Sequence, residues 1–370
     1  MDQQKIIIVG GGVLGTMHAM SAIERGFSVQ HLERERDARG ASVRNFGLVW
    51  ISGRARGPEL ALALKARARW ERLWQLAPSM GFRANGSLTL AKTPAELTLM
   101  EQACAAEDAE QRGFSLLSTD EVRKKNPALQ GRMLGGLYCS KDAGVEPRLV
   151  PRALREVMAS TGRYEFLPGR EIVAVGKSSV TDSLGVTYRA DRIVLCTGAA
   201  HNGVGAEIME HAPLRRVRLQ MFETEPFQGT LTTSIADGDS LRYYPAFDLP
   251  GRSDLGAQDH VASANHMQLL CQQRLNGSLT IGDTHAYDEP FAFDLDEGPT
   301  DYLQGVVEGF LGQALPRIAR RWAGVYSQLA FNEHGPVYYR ATLEEGVEIV
   351  TGPGGRGMTL SPAIAEETFA

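Results

Sequence analysis

The chain has 370 residues, 43% hydrophobic and 22% charged, with 39 Lys+Arg against 44 Asp+Glu for a net charge of −5. That composition describes a globular protein of about two domains, able to enclose a cofactor without disulfide or metal support. No basic run offers a footprint for a phosphodiester backbone, so no nucleic-acid partner is expected, and no apolar stretch suggests a membrane partner. Cys104, Cys139, Cys196 and Cys271 lie far apart without metal-ligand spacing, and read as reduced thiols. Met1–Lys5 passes directly into an apolar run with no leader pattern. Together these features predict a cytoplasmic protein.

In chain order, the β-branched run Ile6–Val9 predicts a strand buried on both faces. Gly10, Gly12 and Gly15 follow in the spacing Gly-x-Gly-x-x-Gly and lead into a predicted helix, Thr16–Arg25, with Ala19, Ala22 and Ile23 packing on a sheet. Gly26 stops that helix. A second strand, Phe27–Leu32, ends at Glu33. A glycine triplet alone is equally a glycine-rich turn; strand, triplet, helix, strand and acidic end together point to a βαβ dinucleotide unit. Gly10 permits the tight turn, Gly12 the approach of a pyrophosphate, and Gly15 close helix–strand packing. The helix N-terminus offers unpaired N–H groups, and Glu33 an acceptor for ribose hydroxyls.

The next segment, Ala41-Ser42-Val43-Arg44-Asn45-Phe46-Gly47, has small and polar residues where a Rossmann dehydrogenase would continue winding its sheet. With this loop the chain resembles the FAD-dependent amine and amino-acid oxidase family that includes glycine oxidase, sarcosine oxidase and D-amino-acid oxidase. The resemblance extends over nearly the whole length in four blocks. After the first comes a helical stretch, Pro58–Leu76, and a strand at 86–90. The second block is Gly144–Pro147 with a helix at 148–160 and a strand at 171–175; the third is Asp191–Ala199, a strand ending in Thr197-Gly198-Ala199. The fourth joins a tryptophan-glycine turn at Arg321–Tyr326, a glycine-rich closing loop at Gly352–Thr359 and a helix at 360–369.

The resemblance implies an α/β fold: a discontinuous Rossmann-type, glutathione-reductase-like FAD domain (1–76, 144–205, 319–370) and an α+β substrate domain of mixed sheet (77–143, 206–318). It implies noncovalent FAD contacted by Gly10, Gly12, Val13, Leu14, Gly15, Glu33, Arg34, Ser42, Arg44, Asn45, Gly47, Leu48, Val173 through main-chain groups to the adenine, Cys196, Thr197, Gly198, Tyr326, Gly355, Arg356, Gly357, Met358 and Thr359. Cys196 itself reads as a small buried hydrophobe. No cysteine lies beyond Cys271 to tether a flavin near the closing loop.

Strand patterns at 241–244 and 278–282 and a helix at 303–311 with apolar residues at i, i+3, i+4, i+7 and i+8 belong to the second domain. Asp254, Asp259, His260 and His266 come nearest to a metal set but read as a surface loop, and no metal is expected. Arg215, Arg216 and Arg218 read as a solvated strand face. Arg54 with Arg56, Arg242-Tyr243-Tyr244, and Tyr338-Tyr339-Arg340 are candidate pocket residues, although tyrosines on strands are often simply strand formers. The expected chemistry is hydride transfer from a small primary or secondary amine to flavin N5, giving an imine and then an aldehyde, with O2 or another acceptor reoxidising the flavin.

Two departures from the family bear on the substrate. Tyr326 follows the tryptophan-glycine turn where glycine oxidase-like enzymes carry a carboxylate-binding arginine, and Thr359 stands where sarcosine oxidase has a lysine. The Ser-Val-Arg-Asn-Phe-Gly loop, the Arg-Tyr-Tyr-Pro run at 242–245 and the Tyr-Tyr-Arg link are similar to a clade associated with phosphonate breakdown. That resemblance implies 2-aminoethylphosphonate or an N-methyl relative, anchored by Arg54, Arg56, Tyr243 and Arg340. A glycine- or sarcosine-type oxidase, a 2-hydroxy-acid dehydrogenase and a flavin-binding sensor or structural protein are the alternatives.

Overall fold

A computed structural model describes residues 4–204, 206–330 and 335–370; Met1–Gln3 and the boundary residue Gly205 lie outside the described residues. Two sheets organise the chain. The first has six strands in the order Tyr339–Glu344, Val347–Thr351, Arg192–Leu195, Lys5–Val9, Ser28–Glu33, Tyr164–Pro168. All neighbours are parallel except the outer strand Tyr339–Glu344.

Lys5–Val9 lies inside this sheet, and its side chains alternate between two cores because successive residues on a strand face opposite ways. Ile6 and Ile8 join a core with Leu60, Trp70 and Ile364, on the side covered by helices Val13–Glu24, Pro58–Leu76 and Gly357–Thr368. Ile7 and Val9 meet Val180 and Ile193 on the side covered by a three-stranded antiparallel sheet, Ile172–Gly176, Ser179–Asp182 and Thr187–Arg189.

The first helix begins at Val13, three residues earlier than periodicity predicts, because Gly12 in extended conformation serves as its N-cap. Gly15 therefore lies in the first turn, where a Cβ would stand 1.9 Å from the Gly10 carbonyl oxygen. Gly10 itself has φ +110°, and a Cβ there would meet the Cys196 carbonyl oxygen at 2.3 Å. No larger residue fits either place.

The second sheet has eight strands in the order Ile318–Leu329, Leu214–Pro226, Ser278–Gly282, Leu270–Gln273, Ser234–Ala236, Ser87–Ala91, Gly135–Cys139, Phe114–Ser118. It is mixed because Ser234–Ala236 runs parallel to Ser87–Ala91. Helix Glu297–Leu311 buries Leu303, Val306, Val307, Phe310 and Leu311 against one face. The opposite face, through Leu219, Met221 and Leu270, packs on Phe46, Leu48 and Trp50.

Several sequence expectations change here. Arg321–Tyr326 is the middle of a twelve-residue strand rather than a turn; Trp322 pairs with Met221 and Tyr326 with Val217, so the strand crosses the boundary drawn at 319 and belongs to the eight-stranded sheet. Residues 240–243 form one helical turn, not a strand: the Arg242 and Tyr243 amides donate to the Asp239 carbonyl, and Pro245 follows. A pattern of four residues is too short for periodicity to separate the two forms. Of the arginines at 215–218, Arg216 is 39% exposed and pairs with Glu289, but Arg215 lies over the Tyr287 ring at 4.1 Å and Arg218 is buried and donates to the Asp294 carbonyl. Residues 250–264 contain a short 3-10 turn and helix His260–Ala264 capped by Asp259, in place of a loop.

His18, on the first helix, and His31, on strand Ser28–Glu33, are buried. His31 Nε2 lies 2.9 Å from the Gly10 carbonyl, which can only accept, so that nitrogen carries hydrogen; Nδ1 lies 2.8 Å from the Tyr164 hydroxyl. Burial holds both imidazoles near pKa about 4, below the ordinary 6.5. The unfolded chain therefore takes up these protons first, and the stability present above pH 6.5 is lost as pH falls toward 4. Each histidine accounts for about 3 kcal/mol at most, at 1.36 kcal/mol per pK unit. Thermal unfolding followed from pH 7 to 4 is expected to show a falling midpoint, and the slope to lessen in His31→Gln, which cannot take up a proton.

Candidate active site

A segment running from Leu48 to Arg54 connects the nucleotide half to the second sheet and is gripped by two buried charges. Asp142 accepts from the amides of Ile51 and Ser52, the latter at 3.0 Å, and from the hydroxyls of Ser52 at 2.7 Å and Ser87 at 2.6 Å. Arg112 donates to the carbonyls of Ile51 at 3.0 Å, Ser52 at 3.2 Å and Arg54 at 2.7 Å, with Asp108 as its counter-charge at 2.7 Å. Buried charges are tolerated when so fully hydrogen-bonded. The result is a rigid loop that places Trp50, Gly53 and Arg54 in the wall of a cavity of about 1170 Å³.

One end of that cavity is made of backbone. Gly10, Gly12, Val13 and Leu14 line it at the start of the first helix, with Ser42, Arg44 and Asn45 beside them and Cys196, Thr197 and Gly198 at the end of a neighbouring strand. Ser42 Oγ accepts from the Val13 amide at 2.8 Å. The Glu33 carboxylate, 8% exposed, accepts from the amides of Gly11 at 2.5 Å and Glu35 at 3.0 Å. Arg170, Glu171 and Ile172 complete this end, and Gly355–Met358, leading into the last helix, also line the cavity.

The other wall residues are aromatic and charged side chains. The Arg54 guanidinium is 5% exposed, lies 3.4 Å from Glu59, sits 5.6 Å from the Tyr244 ring centroid and has Nε without a partner. Arg356 Nε donates to the same Glu59 at 2.7 Å. Tyr243 Oη lies 3.1 Å from His285 Nε2, their rings stacked at 4.8 Å. Asp283, Tyr287, Gln268 and Tyr326 also line this part. Burial raises the Tyr243, Tyr244 and Tyr326 hydroxyls well above their ordinary pKa, so they stay protonated.

The cavity wall brings together most of the residues singled out in the sequence, but eight lie elsewhere, among them Tyr338, whose hydroxyl donates to Glu367 at 2.8 Å, and Tyr339, paired with Thr351 in the six-stranded sheet. Gly15 packs helix on strand, and a Cβ at Gly47 would meet the Val145 carbonyl at 2.2 Å, so both serve backbone packing. The Thr359 hydroxyl is occupied by the Trp50 amide at 2.9 Å. Val173 is 55% exposed, and the chain meets the cavity at 170–172 instead. Arg56 is half exposed and paired with Asp108 at 3.4 Å. Arg340 is turned away: strand alternation points it to the end of the last helix, where it donates to the Ile364 carbonyl at 3.2 Å and Thr368 Oγ1 at 2.7 Å. Asp283, His285 and Tyr287 were missed, although Asp-x-His-x-Tyr directly after the strand Ser278–Gly282 places three polar residues at a period of two.

The family model described as FAD dependent oxidoreductase, DAO, matches residues 5–370. The chain belongs to this family. One of the subunits of opine oxidase from Rhizobium meliloti is 25% identical over 244 residues, 62% of this chain and 66% of that protein. Glycine oxidase from Geobacillus kaustophilus is 25% identical over 213 residues, 55% of this chain and 56% of that protein. The chain thus spans just under two thirds of the opine oxidase polypeptide. Among solved structures, glycine oxidase from Geobacillus kaustophilus superimposes with TM-score 0.77 at 19% identity, covering 98% of this chain and 93% of that one. Iminodiacetate oxidase from Chelativorans sp. BNC1 does so with TM-score 0.73 at 17% identity, over 98% and 93%.

This member of the DAO family is an FAD-dependent oxidoreductase, and the cavity fits its cofactor. The glycine turn leaves the helix N-terminus bare, and Thr197 Oγ1 is buried beside it without a partner. Among the described residues no helix is long and apolar enough to cross a membrane. Glu33→Arg is expected to lower FAD retention on gel filtration, by replacing the acceptor at the strand end with a cation; retention equal to wild type would remove Glu33 from the cofactor site.

Proposed function

We propose that this enzyme oxidises 2-aminoethylphosphonate or an N-methylated relative to the imine and onward to phosphonoacetaldehyde. The observation that carries the reading is one chamber holding both a buried cation with a free donor, Arg54 Nε, and a buried carboxylate with a free oxygen, Asp283 Oδ1. Such a chamber suits a small molecule with an anionic and a cationic end. A tetrahedral dianion takes donors from several directions, which Arg54, Arg356 and Tyr326 offer, whereas a planar carboxylate suits a single fork. Glu59, shared by Arg54 and Arg356, leaves this group with one net positive charge. The loop and Arg-Tyr-Tyr-Pro resemblances support the phosphonate; the names of the relatives favour a second reading, a glycine- or sarcosine-type amino acid.

The cofactor would be held noncovalently, its pyrophosphate by the amides of Gly12, Val13 and Leu14 with Ser42 and Arg44, its ribose by Glu33, and its adenine beside Arg170–Ile172. The amides of Gly355–Met358 and the N-terminus of the last helix would face the flavin. When bound, FAD accepts the hydride from the carbon bearing nitrogen. The protein's part is to orient that carbon and exclude water: Trp50, Leu219, Leu270 and Tyr244 form the apolar portion of the wall.

Acid or heat denaturation of the yellow holoenzyme is expected to release all of its FAD into the supernatant, and flavin left on the chain would rule out noncovalent attachment. Anaerobic mixing with matched amines should bleach the flavin fastest with the phosphonates. Faster bleaching by glycine or sarcosine at equal concentration overturns the substrate but not the family. Bleaching by 2-hydroxy acids alone would make the enzyme a hydroxy-acid dehydrogenase. Arg54→Gln should weaken phosphonate binding by about 2 kcal/mol, roughly 30-fold, and Arg54→Lys by less, as titrated under anaerobic conditions.

A further inference from the structure

Four carboxylates line the cavity, and three of them, Glu33, Glu35 and Glu171, lie at the end built from the glycine turn and residues 170–172. The fourth is Asp283, the first residue after strand Ser278–Gly282. Its amide donates to the Gln268 carbonyl at 3.1 Å, which fixes the backbone. The side chain is 8% exposed; Oδ2 lies 3.8 Å from His285 Nε2, and Oδ1 has no partner. An unpaired buried oxygen is costly unless a ligand satisfies it.

The neighbouring imidazole is already committed. His285 Nδ1 lies 2.8 Å from the His266 carbonyl, which can only accept, so Nδ1 carries the hydrogen. Nε2 then holds the lone pair and accepts the Tyr243 hydroxyl at 3.1 Å. The tyrosines facing Asp283 are Tyr287 on its own segment, Tyr243 and Tyr244 from the helical turn, and Tyr326 from the long strand. Burial keeps their hydroxyls protonated, so they are donors. Arg54 and Arg356 act on the same tyrosines and are cations. The His285 lone pair is thus engaged by Tyr243, whereas Asp283 Oδ1 is a carboxylate oxygen without a hydrogen-bond partner and open to a proton.

We infer that Asp283 is a catalytic residue whose Oδ1 binds the substrate ammonium and removes one proton from nitrogen before the C–H bond breaks. The inference rests on the amine reading above. An N–H bond breaks and a carboxyl O–H bond forms, leaving the nitrogen lone pair free. The hydride then leaves carbon with its electron pair for FAD, the family's oxidant, while the nitrogen lone pair closes the C=N bond of the iminium product. The proton on Asp283 passes to solvent when product departs. Burial raises the Asp283 pKa, the neighbouring His285 opposes that rise, and a bound ammonium opposes it further. His285 and Tyr243 are positioning residues: their bond holds the imidazole away from the proton transfer.

The test uses holoenzyme and anaerobic stopped-flow reduction across pH, with whichever small amine bleaches the wild-type flavin fastest. Asp283→Asn is expected to keep its FAD spectrum yet slow reduction at pH 7 by about 10²-fold or more, the usual worth of a general base. Its rate should recover only as pH approaches the free amine's own ionisation, and Asp283→Glu should restore part of the loss. An unchanged rate and pH profile in Asp283→Asn overturns the inference. If that variant loses FAD, His285→Gln decides: a pH profile that keeps its ionisation supports Asp283, and one that loses it makes the imidazole the acceptor. A carboxylate amine that outpaces the phosphonates defeats the substrate reading alone, with Asp283 still judged by its variants. If no amine bleaches the flavin, both fall.

Discussion

The active-site chamber depends on two buried charges closing on the same four residues. Residues 51–54 leave the nucleotide-binding half without a sheet partner, so their amides and carbonyls would be orphaned in the interior. Asp142 takes the amides of Ile51 and Ser52, and Arg112 takes the carbonyls of Ile51, Ser52 and Arg54. A carboxylate can only accept and a guanidinium only donate, so the pair covers both kinds of backbone group. Loss of either would leave its own backbone partners unsatisfied and release Arg54 from the chamber wall.

The two ends of the cavity are built on different principles. At the nucleotide end the groups that matter are backbone amides, exposed because glycines remove side chains and because a helix starts there. Such a site is indifferent to most side chains nearby. At the other end nearly everything depends on side chains: two arginines sharing one glutamate, a tyrosine–histidine bond, and a carboxylate with a free oxygen. The low dielectric there strengthens each charge and makes every unpaired group an opening for a ligand.

This division explains why a structure at 19% identity superimposes over 98% of the chain while the substrate stays a separate question. The shared architecture is set by sheet order, helix cover and the glycine turn, all satisfied by many sequences. The side chains that line the other end of the cavity are carried largely by the eight-stranded sheet and its connections. Tyr326 illustrates the point: in the middle of strand Ile318–Leu329 its side chain enters the chamber as an aromatic donor, and its backbone remains an ordinary strand pair with Val217.

What could be read from the sequence alone was local and periodic. Ile6–Val9, the glycine triplet, the helix and the acidic strand end lie within thirty-three residues, and each constrains its neighbours through backbone geometry, so the nucleotide end was legible without tertiary information. The helical pattern at 303–311 was legible for the same reason, its apolar period spanning enough residues to exclude a strand, although the helix itself starts at Glu297. The substrate end was decided by contacts between segments far apart in the chain. Arg54 and Arg340 look alike in sequence, yet one is held into the chamber by Arg112, Asp142 and Glu59, and the other is drawn to the carbonyls of the last helix. Only the fold could bring Asp283 and His285 against Tyr243, 42 positions before that histidine. Side-chain direction on a strand follows from register, and register is a property of the assembled sheet rather than of any one strand.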